Sequence, residues 1–249
     1  MTGDDVLKVL DEAADAVRLV LDELTDWGLA GTAKAGQYHS DLVADRAALE
    51  VLGGAGFGVL SEESGLHHPD REVVVVLDPV DGSTNASRGI PWFATSLCAL
   101  DADGPLAALV VNQATGTTFT AVRGGGARRD GEAIRPSAVT EPAAAVVGLS
   151  GYPARHLGWR QYRALGAAAL DLCAVASGTL DGYVDCSRDA HGPWDYLGGL
   201  LVCREAGASV TDAEGRDLVT RLHGDRRTPV AAATPQLLDA LVAARSAVS

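Results

Sequence analysis

The stretch that decides the fold reads Val-Val-Val-Val-Leu-Asp-Pro-Val-Asp-Gly-Ser-Thr-Asn, residues 73–85. Its apolar run from Val73 to Leu77 ends abruptly at Asp78, which predicts a buried central strand rather than a half-exposed one. The chain then passes through Pro79-Val80 to a second carboxylate, Asp81. Two carboxylates at the end of a buried strand are costly unless a counter-charge lies beside them. The stretch therefore indicates a cation site at the end of the strand.

Mg²⁺ suits this site, because hard divalent ions take oxygen ligands and the main-chain carbonyl of Val80 lies between the two aspartates. Gly82-Ser83-Thr84 follows at the start of a helix or turn. Unpaired backbone N–H groups and the helix dipole favour an anion such as phosphate at that place. The same residues also suit a turn whose aspartates cap the following helix, and that alternative stays open at this point.

Apolar periodicity on both sides of the stretch predicts helices combined with sheet. Helices are predicted from Asp4 to Leu24 and from Asp41 to Leu52, and residues 92–134 are typical of an antiparallel meander. The remainder alternates strands with helices, including a helical pattern from Leu157 to Gly178, which predicts an α/β unit. We find no internal repeat and no low-complexity linker, so we expect one unit over 1–249.

Composition limits the classes of function. Of the residues, 47% are hydrophobic and 21% are charged, as in ordinary globular chains. The first predicted helix carries too many charges for a signal peptide or a membrane span, and the four cysteines form no disulfide framework, so we expect a cytoplasmic protein. A formal net charge of −13 argues against nucleic acid and anionic lipid as partners. It would also repel a phosphate ester unless bound cations reversed the local sign.

Three elements, in order along the chain, resemble the inositol monophosphatase family, a lithium-sensitive and metal-dependent phosphatase superfamily. They are Ser61-Glu62-Glu63-Ser64, the Asp-Pro-Val-Asp-Gly-Ser-Thr-Asn run of residues 78–85, and Trp194-Asp195 followed by Glu205-Ala206-Gly207. The resemblance implies an α+β / α/β fold, a layered αβαβα sandwich. The change near residue 140 from an antiparallel meander to alternating strands and helices divides this unit into approximate halves, 1–140 and 141–249. The resemblance also implies a homodimer.

The resemblance implies two or three Mg²⁺ ions per site. Their ligands would be Glu62, Asp78, the Val80 carbonyl, Asp81 and Asp195. Glu62 and Ser83 would also act on the attacking water, and Asp45 would hydrogen-bond the Ser83 hydroxyl and help to activate that water. The element from Asp41 to Asp45 is shorter than the usual family form, so a register in which Asp41 takes this role stays open. We prefer Asp45, because a helical stretch follows it.

The other implied positions bind the substrate. Gly82, Ser83 and Thr84 would hold the phosphate. The leaving group would meet Gly166, Ala167 and Ala168 at a helix start, the acidic Asp185 after the next strand, and His191 in the longer loop before Trp194.

We expect the substrate to be a small phosphorylated metabolite, inositol monophosphate or a similar polyol or sugar phosphate. Histidinol phosphate, fructose 1,6-bisphosphate and a nucleotide 3′-phosphate are alternatives within the same chemistry. A non-catalytic metal-binding regulatory protein is the alternative of a different class.

Overall fold

Two β-sheets, six α-helices and a short 3-10 helix (Pro142–Ala144) lie in the part of the chain that the structure, a computed structural model, describes, namely residues 1–25, 27 and 38–246. The helices are α1 (Gly3–Asp22), α2 (His39–Gly54), α3 (Ser83–Ser87), α4 (Ala168–Ala176), α5 (Pro193–Ala206) and α6 (Pro235–Ser246). Within those described residues, none of the helices combines the length and the apolar character needed to span a bilayer.

The first sheet has the strand order β2-β1-β3-β4-β5-β6-β7-β8, and the second has β10-β9-β11-β13-β12. The strands of the first sheet are β1 (Gly58–Ser61), β2 (Gly65–His67), β3 (Val74–Asp81), β4 (Ala94–Asp101), β5 (Gly104–Asn112), β6 (Thr118–Val122), β7 (Gly126–Arg129) and β8 (Glu132–Ala133). Those of the second are β9 (Val146–Ser150), β10 (Gln161–Arg163), β11 (Gly182–Asp185), β12 (Ser209–Asp212) and β13 (Pro229–Ala232).

Three apolar cores hold five layers together. α1 and α2 pack on one face of the first sheet, α4 and α5 fill the space between the two sheets, and α6 covers the outer face of the second sheet. Every residue of α4 is buried, as expected for a helix with a sheet on each side. The layers run helix, sheet, helix, sheet, helix, which confirms the expected αβαβα sandwich.

The strand predicted from Val73 to Leu77 is confirmed as the buried centre of the first sheet. All eight residues of β3 are buried. It pairs parallel with β1 and antiparallel with β4, and the pairing with β4 is irregular between Asp78 and Asp81. From β3 to β8 each strand pairs antiparallel with the next, so the predicted meander is also confirmed.

The helix predicted from Leu157 to Gly178 is wrong over its first half. β10 occupies part of that range and pairs parallel with β9, and α4 begins only at Ala168. Leu157 and Trp159, at the start of the predicted helix, pack into the core beside α6 instead. Gly166 has a φ of 88°, a left-handed conformation that a continuous helix does not contain.

We predict opposite effects of alanine at two helical glycines. A Cβ on Gly199 of α5 would lie 2.5 Å from the Cβ of Leu172 and 3.1 Å from the Ala169 carbonyl oxygen, so α4 and α5 touch there. Gly199→Ala should lower the free energy of unfolding by about 1–3 kcal/mol through overpacking. Gly53 of α2 has no atom within 4 Å of a Cβ, and Gly53→Ala should raise that free energy by roughly 0.5–1 kcal/mol. Urea unfolding measures both, and equal shifts would contradict the packing of α4 on α5.

Candidate metal centre and active site

Carboxylates from three separate parts of the chain meet at the end of β3. Carboxylate oxygens of Glu62, Asp78 and Asp195 all lie within 4.8 Å of one another. Glu62 directly follows β1, and its N–H donates to the Leu77 carbonyl, so parallel pairing of β1 with β3 places it beside Asp78. Asp195 comes from the first turn of α5, in the layer between the sheets. The structure therefore brings together three of the residues that the resemblance implies as metal ligands.

Asp81 lies beside this group and is held from α4. Its Oδ2 accepts a hydrogen bond of 2.7 Å from the Ala169 N–H, and its side chain is buried. The main chain between the two aspartates is also buried, with the Val80 N–H donating to Asp78 Oδ1 at 3.0 Å. These contacts orient both carboxylates of the irregular strand end.

Asp195 both caps α5 and faces the other carboxylates. Its Oδ2 accepts the N–H of Gly192 at 2.7 Å and lies 3.3 Å from His191 Nδ1. The preceding Trp194 ring contacts the ring of His223, whose Nε2 lies 3.3 Å from the Glu62 carbonyl oxygen. The loop between β12 and β13 thus links the start of α5 to the end of β1.

Crowding of like charges dominates the electrostatics. Burial, and then the negative charge of Asp195, raise the pKa of Glu62 to about 8 and that of Asp81 to about 7. Burial and the charge of Glu62 raise the pKa of Asp78 well above its usual range. Several ionised carboxylates cannot stay this close in a buried site unless cations neutralise them. An all-oxygen donor set of this charge fits hard divalent cations.

We predict that the metal-free protein loses stability as the pH rises. A glutamate in an unfolded chain has a pKa of about 4.3, whereas burial and neighbouring negative charge raise the pKa of folded Glu62 to about 8. Between these values the folded protein holds a proton that the unfolded chain has lost, so the free energy of unfolding falls with increasing pH.

Glu62→Gln removes that titration. In the presence of chelator at about pH 8, the melting temperature of the variant should exceed that of wild type, by about 2–4 °C for each kcal/mol of relieved repulsion. Added Mg²⁺ should stabilise wild type more than the variant, because the variant lacks one carboxylate. Scanning calorimetry at two pH values tests this, and a variant that melts below wild type in chelator would contradict it.

The turn after Asp81 lies against the segment before α4. Gly82 has a φ of 86°, and α3 begins at the next residue, so Ser83 and Thr84 occupy the first helical turn as the sequence indicated. A Cβ on Gly82 would lie 3.0 Å from the Gly166 carbonyl oxygen and 3.2 Å from the Ala167 Cβ. The residues expected to hold the phosphate therefore contact those expected to meet the leaving group.

The expected contact between Asp45 and Ser83 is replaced by another. Asp41 and Asp45 lie one turn apart in α2 and are both buried. Asp45 accepts a hydrogen bond from the Ser61 hydroxyl, at the end of β1, and among the described residues no hydrogen bond joins it to Ser83. Asp41 instead contributes negative charge that raises the pKa of Asp78, and burial raises its own pKa to about 6. Helical geometry points two residues four apart along the same face, and the sequence could not tell which one would reach the strand ends.

His191 lies between Asp185, which the resemblance implies as a leaving-group contact, and the carboxylate of Asp195. The Asp185 side chain has no exposed surface, and its Oδ1 accepts the Ser187 N–H at 2.8 Å. His191 Nε2 lies 3.7 Å from Asp185 Oδ2, 3.1 Å from the Ser150 hydroxyl and 3.2 Å from the Tyr183 hydroxyl.

Sequence reasoning missed Ser150 and Tyr183. The only signal for them was their place at or near the ends of β9 and β11, which are parallel neighbours. Burial lowers the pKa of His191, but the hydrogen bond and charge of Asp195 outweigh that effect and raise it to about 9.

Comparison with known proteins now decides the family. The sequence profile of the inositol monophosphatase family matches residues 41–249, most of the chain. The chain belongs to the inositol monophosphatase family.

Relatives of known name support this membership. This chain is 36% identical over 233 residues to the fructose-1,6-bisphosphatase/inositol-1-monophosphatase of Thermococcus kodakarensis. The alignment covers 87% of this chain and 90% of that protein. The chain is 37% identical over 179 residues to the inositol-1-monophosphatase of Mesorhizobium japonicum, covering 64% and 65%. The solved structure of inositol monophosphatase from Anabaena superposes with a TM-score of 0.81 at 26% identity, over 99% of this chain and 97% of that one. This chain is therefore an enzyme, a metal-dependent phosphomonoesterase.

Proposed function

We propose that this enzyme hydrolyses a small phosphomonoester, inositol monophosphate or a similar polyol or sugar phosphate, with Mg²⁺ as its cofactor. The observation that carries the proposal is the meeting of Glu62, Asp78 and Asp195 within 4.8 Å, in a member of a metal-dependent phosphatase family. Asp81 and the Val80 carbonyl would complete the ligands of two or three ions.

The residues around the ions would bind the phosphate, orient the attacking water and contact the leaving group. When bound, Mg²⁺ polarises the phosphoryl oxygens and lowers the pKa of a coordinated water. The backbone N–H groups of Gly82 and Ser83, with Thr84, would hold the phosphate in line with that water, and the Ser83 hydroxyl with Glu62 would orient the water. Holding both reactants in place removes much of the entropic barrier. The leaving group would lie towards residues 166–168 and His191.

We propose that Asp41, rather than Asp45, assists Ser83 and Glu62. The support is electrostatic and geometric: Asp41 acts on the pKa of Asp78, whereas Asp45 is engaged by the Ser61 hydroxyl. Asp41 also accepts the Tyr38 N–H at 3.0 Å in the first turn of α2, which orients its carboxylate.

The ligand role of Asp81 predicts a large loss of activity in Asp81→Asn. The amide can still accept the Ala169 N–H, so the fold should persist, but one negative charge facing the ions is gone. We expect Mg²⁺-dependent phosphate release from inositol 1-phosphate to fall by at least about 100-fold, with chelator abolishing it in wild type. Asp70→Asn, the same chemical change at an exposed residue, is the matched control. Full activity in Asp81→Asn would contradict the proposal.

The assignment of Asp41 predicts different losses in two isosteric variants. Asp41→Asn should lower kcat about 10-fold or more with a melting temperature close to that of wild type. Asp45→Asn should lower the melting temperature, because it weakens the buried bond from Ser61, while its kcat stays within about threefold of wild type. Steady-state kinetics with calorimetry measures both quantities, and the reverse pattern would restore Asp45 to the role.

A second substrate is favoured by the relatives. The Thermococcus kodakarensis protein is named for fructose 1,6-bisphosphatase as well as inositol monophosphatase activity, so fructose 1,6-bisphosphate belongs in the same substrate panel. Inhibition by Li⁺ and a homodimer, both implied by the family resemblance, are part of this proposal, and so is the cytoplasmic location expected from the charged first helix and the cysteine pattern.

A further inference from the structure

We call residues 78–85 the signature turn. At its end, the side chain of Asn85 hydrogen-bonds the segment before α4. Its Nδ2 donates to the Leu165 carbonyl at 2.7 Å and to the Trp92 carbonyl at 2.7 Å. A primary amide has two N–H donors, so both are used. Asn85 makes these contacts from α3, just after the residues that would hold the phosphate.

Close backbone packing fixes the distance between the turn at Gly82 and the segment at Gly166. Gly82 and Gly166 both have left-handed φ angles. They face one another where the signature turn meets the segment before α4. A Cβ on Gly82 would lie 3.1 Å from the Trp92 carbonyl oxygen, and a Cβ on Gly166 would lie 3.1 Å from Asn85 Nδ2. Neither side chain could be added without moving one of the two segments.

Two further bonds continue the link into α4. Asp81 accepts the Ala169 N–H at 2.7 Å, four residues beyond the Leu165 carbonyl that Asn85 binds. The Trp92 indole N–H donates to Asp171 Oδ1 at 2.9 Å. The segment from Leu165 to Asp171 is thus held by both ends of the signature turn and by Trp92.

We propose that Asn85 is a positioning residue for the leaving group. By binding the Leu165 and Trp92 carbonyls, it sets the distance between the turn that holds the phosphate and the segment 166–168 that meets the leaving group. This inference rests on the proposed function. A shift of about 1 Å in such a segment is enough to reduce catalysis about 100-fold.

Asn85→Asp tests the inference, because it keeps the size of the side chain and replaces the donors with an oxygen that faces two carbonyl oxygens. For inositol 1-phosphate we expect kcat/KM to fall about 10-fold or more, mainly through KM. For p-nitrophenyl phosphate, whose aryl leaving group needs little orientation, it should fall less than about threefold. Inhibition by inorganic phosphate should stay within about twofold of wild type, because the turn itself is intact.

Asn112→Asp is the matched control. Asn112 Nδ2 also donates to a backbone carbonyl, that of Pro91 at 3.3 Å, and the hydrogen bonds found for its side chain go to Pro91, Ala114 and Thr115, outside residues 78–85 and 165–168. Its kcat/KM should change equally for the two substrates. An equal loss for both substrates in Asn85→Asp, or no loss for either, would overturn the proposal.

Hydrogen exchange gives a readout that does not depend on turnover. Amides of residues 165–169 should exchange faster in Asn85→Asp than in wild type and in Asn112→Asp, while the amides of β9 should keep their rates. Unchanged exchange at 165–169 would overturn the inference whatever the activity. A wild type that releases no phosphate from either substrate would instead sink the proposed function, and the exchange result would still decide whether Asn85 holds the segment.

Discussion

Mutual repulsion among carboxylates at the end of β3 is the constraint on which the rest of the structure depends. Glu62, Asp78, Asp81 and Asp195 are buried or half-buried, and burial together with neighbouring charge raises the pKa of the first three. Such a group costs stability unless cations neutralise it. The surrounding layers supply the apolar packing that keeps the group together, and the family to which the chain belongs is metal-dependent.

The carboxylate group of the site is assembled from the first sheet and from the helix layer between the two sheets. The first sheet provides Glu62, Asp78 and Asp81, and the helices between the sheets provide Asp195 and the Ala169 N–H that Asp81 accepts. Asn85 adds the link from α3 to the Leu165 carbonyl. Because these groups come from distant parts of the sequence, the geometry of the site depends on the contact between the first sheet and α4 and α5.

The part of the site where we propose that the leaving group lies differs from the rest, since a largely buried histidine, His191, lies there beside the carboxylate of Asp185. Asp185 has no exposed surface and is covered by His191, which also contacts Asp195 and the Ser150 hydroxyl. The loop from Asp185 to Gly192 therefore connects a metal-side carboxylate to the end of the second sheet.

Much of the site could be predicted from local sequence. The apolar run into Asp78 predicted a buried strand because an uninterrupted apolar stretch fits only a strand covered on both faces. Three short motifs carried the resemblance to the inositol monophosphatase family, and that resemblance implied the αβαβα sandwich and a single site for Glu62, Asp78 and Asp195. Periodicity alone was less reliable: the pattern from Leu157 to Gly178 predicted one helix, but Leu157 and Trp159 belong to an irregular stretch packed beside α6, and α4 begins only at Ala168.

The sequence by itself determined which residue types are available at the site and in what order: paired aspartates after a buried strand, a glycine turn, and an aspartate at the start of a helix. Only the tertiary structure decided which of them meet. Asp41 and Asp45 share a helix face, and only the packing of α2 on β1 directs Asp45 to Ser61. His191 lies beside Asp185 because the chain after β11 pairs with Arg227 and contacts Asp195, which are far away in the sequence or in a different element. Local sequence sets backbone preference, whereas contacts between distant residues follow from how the layers pack.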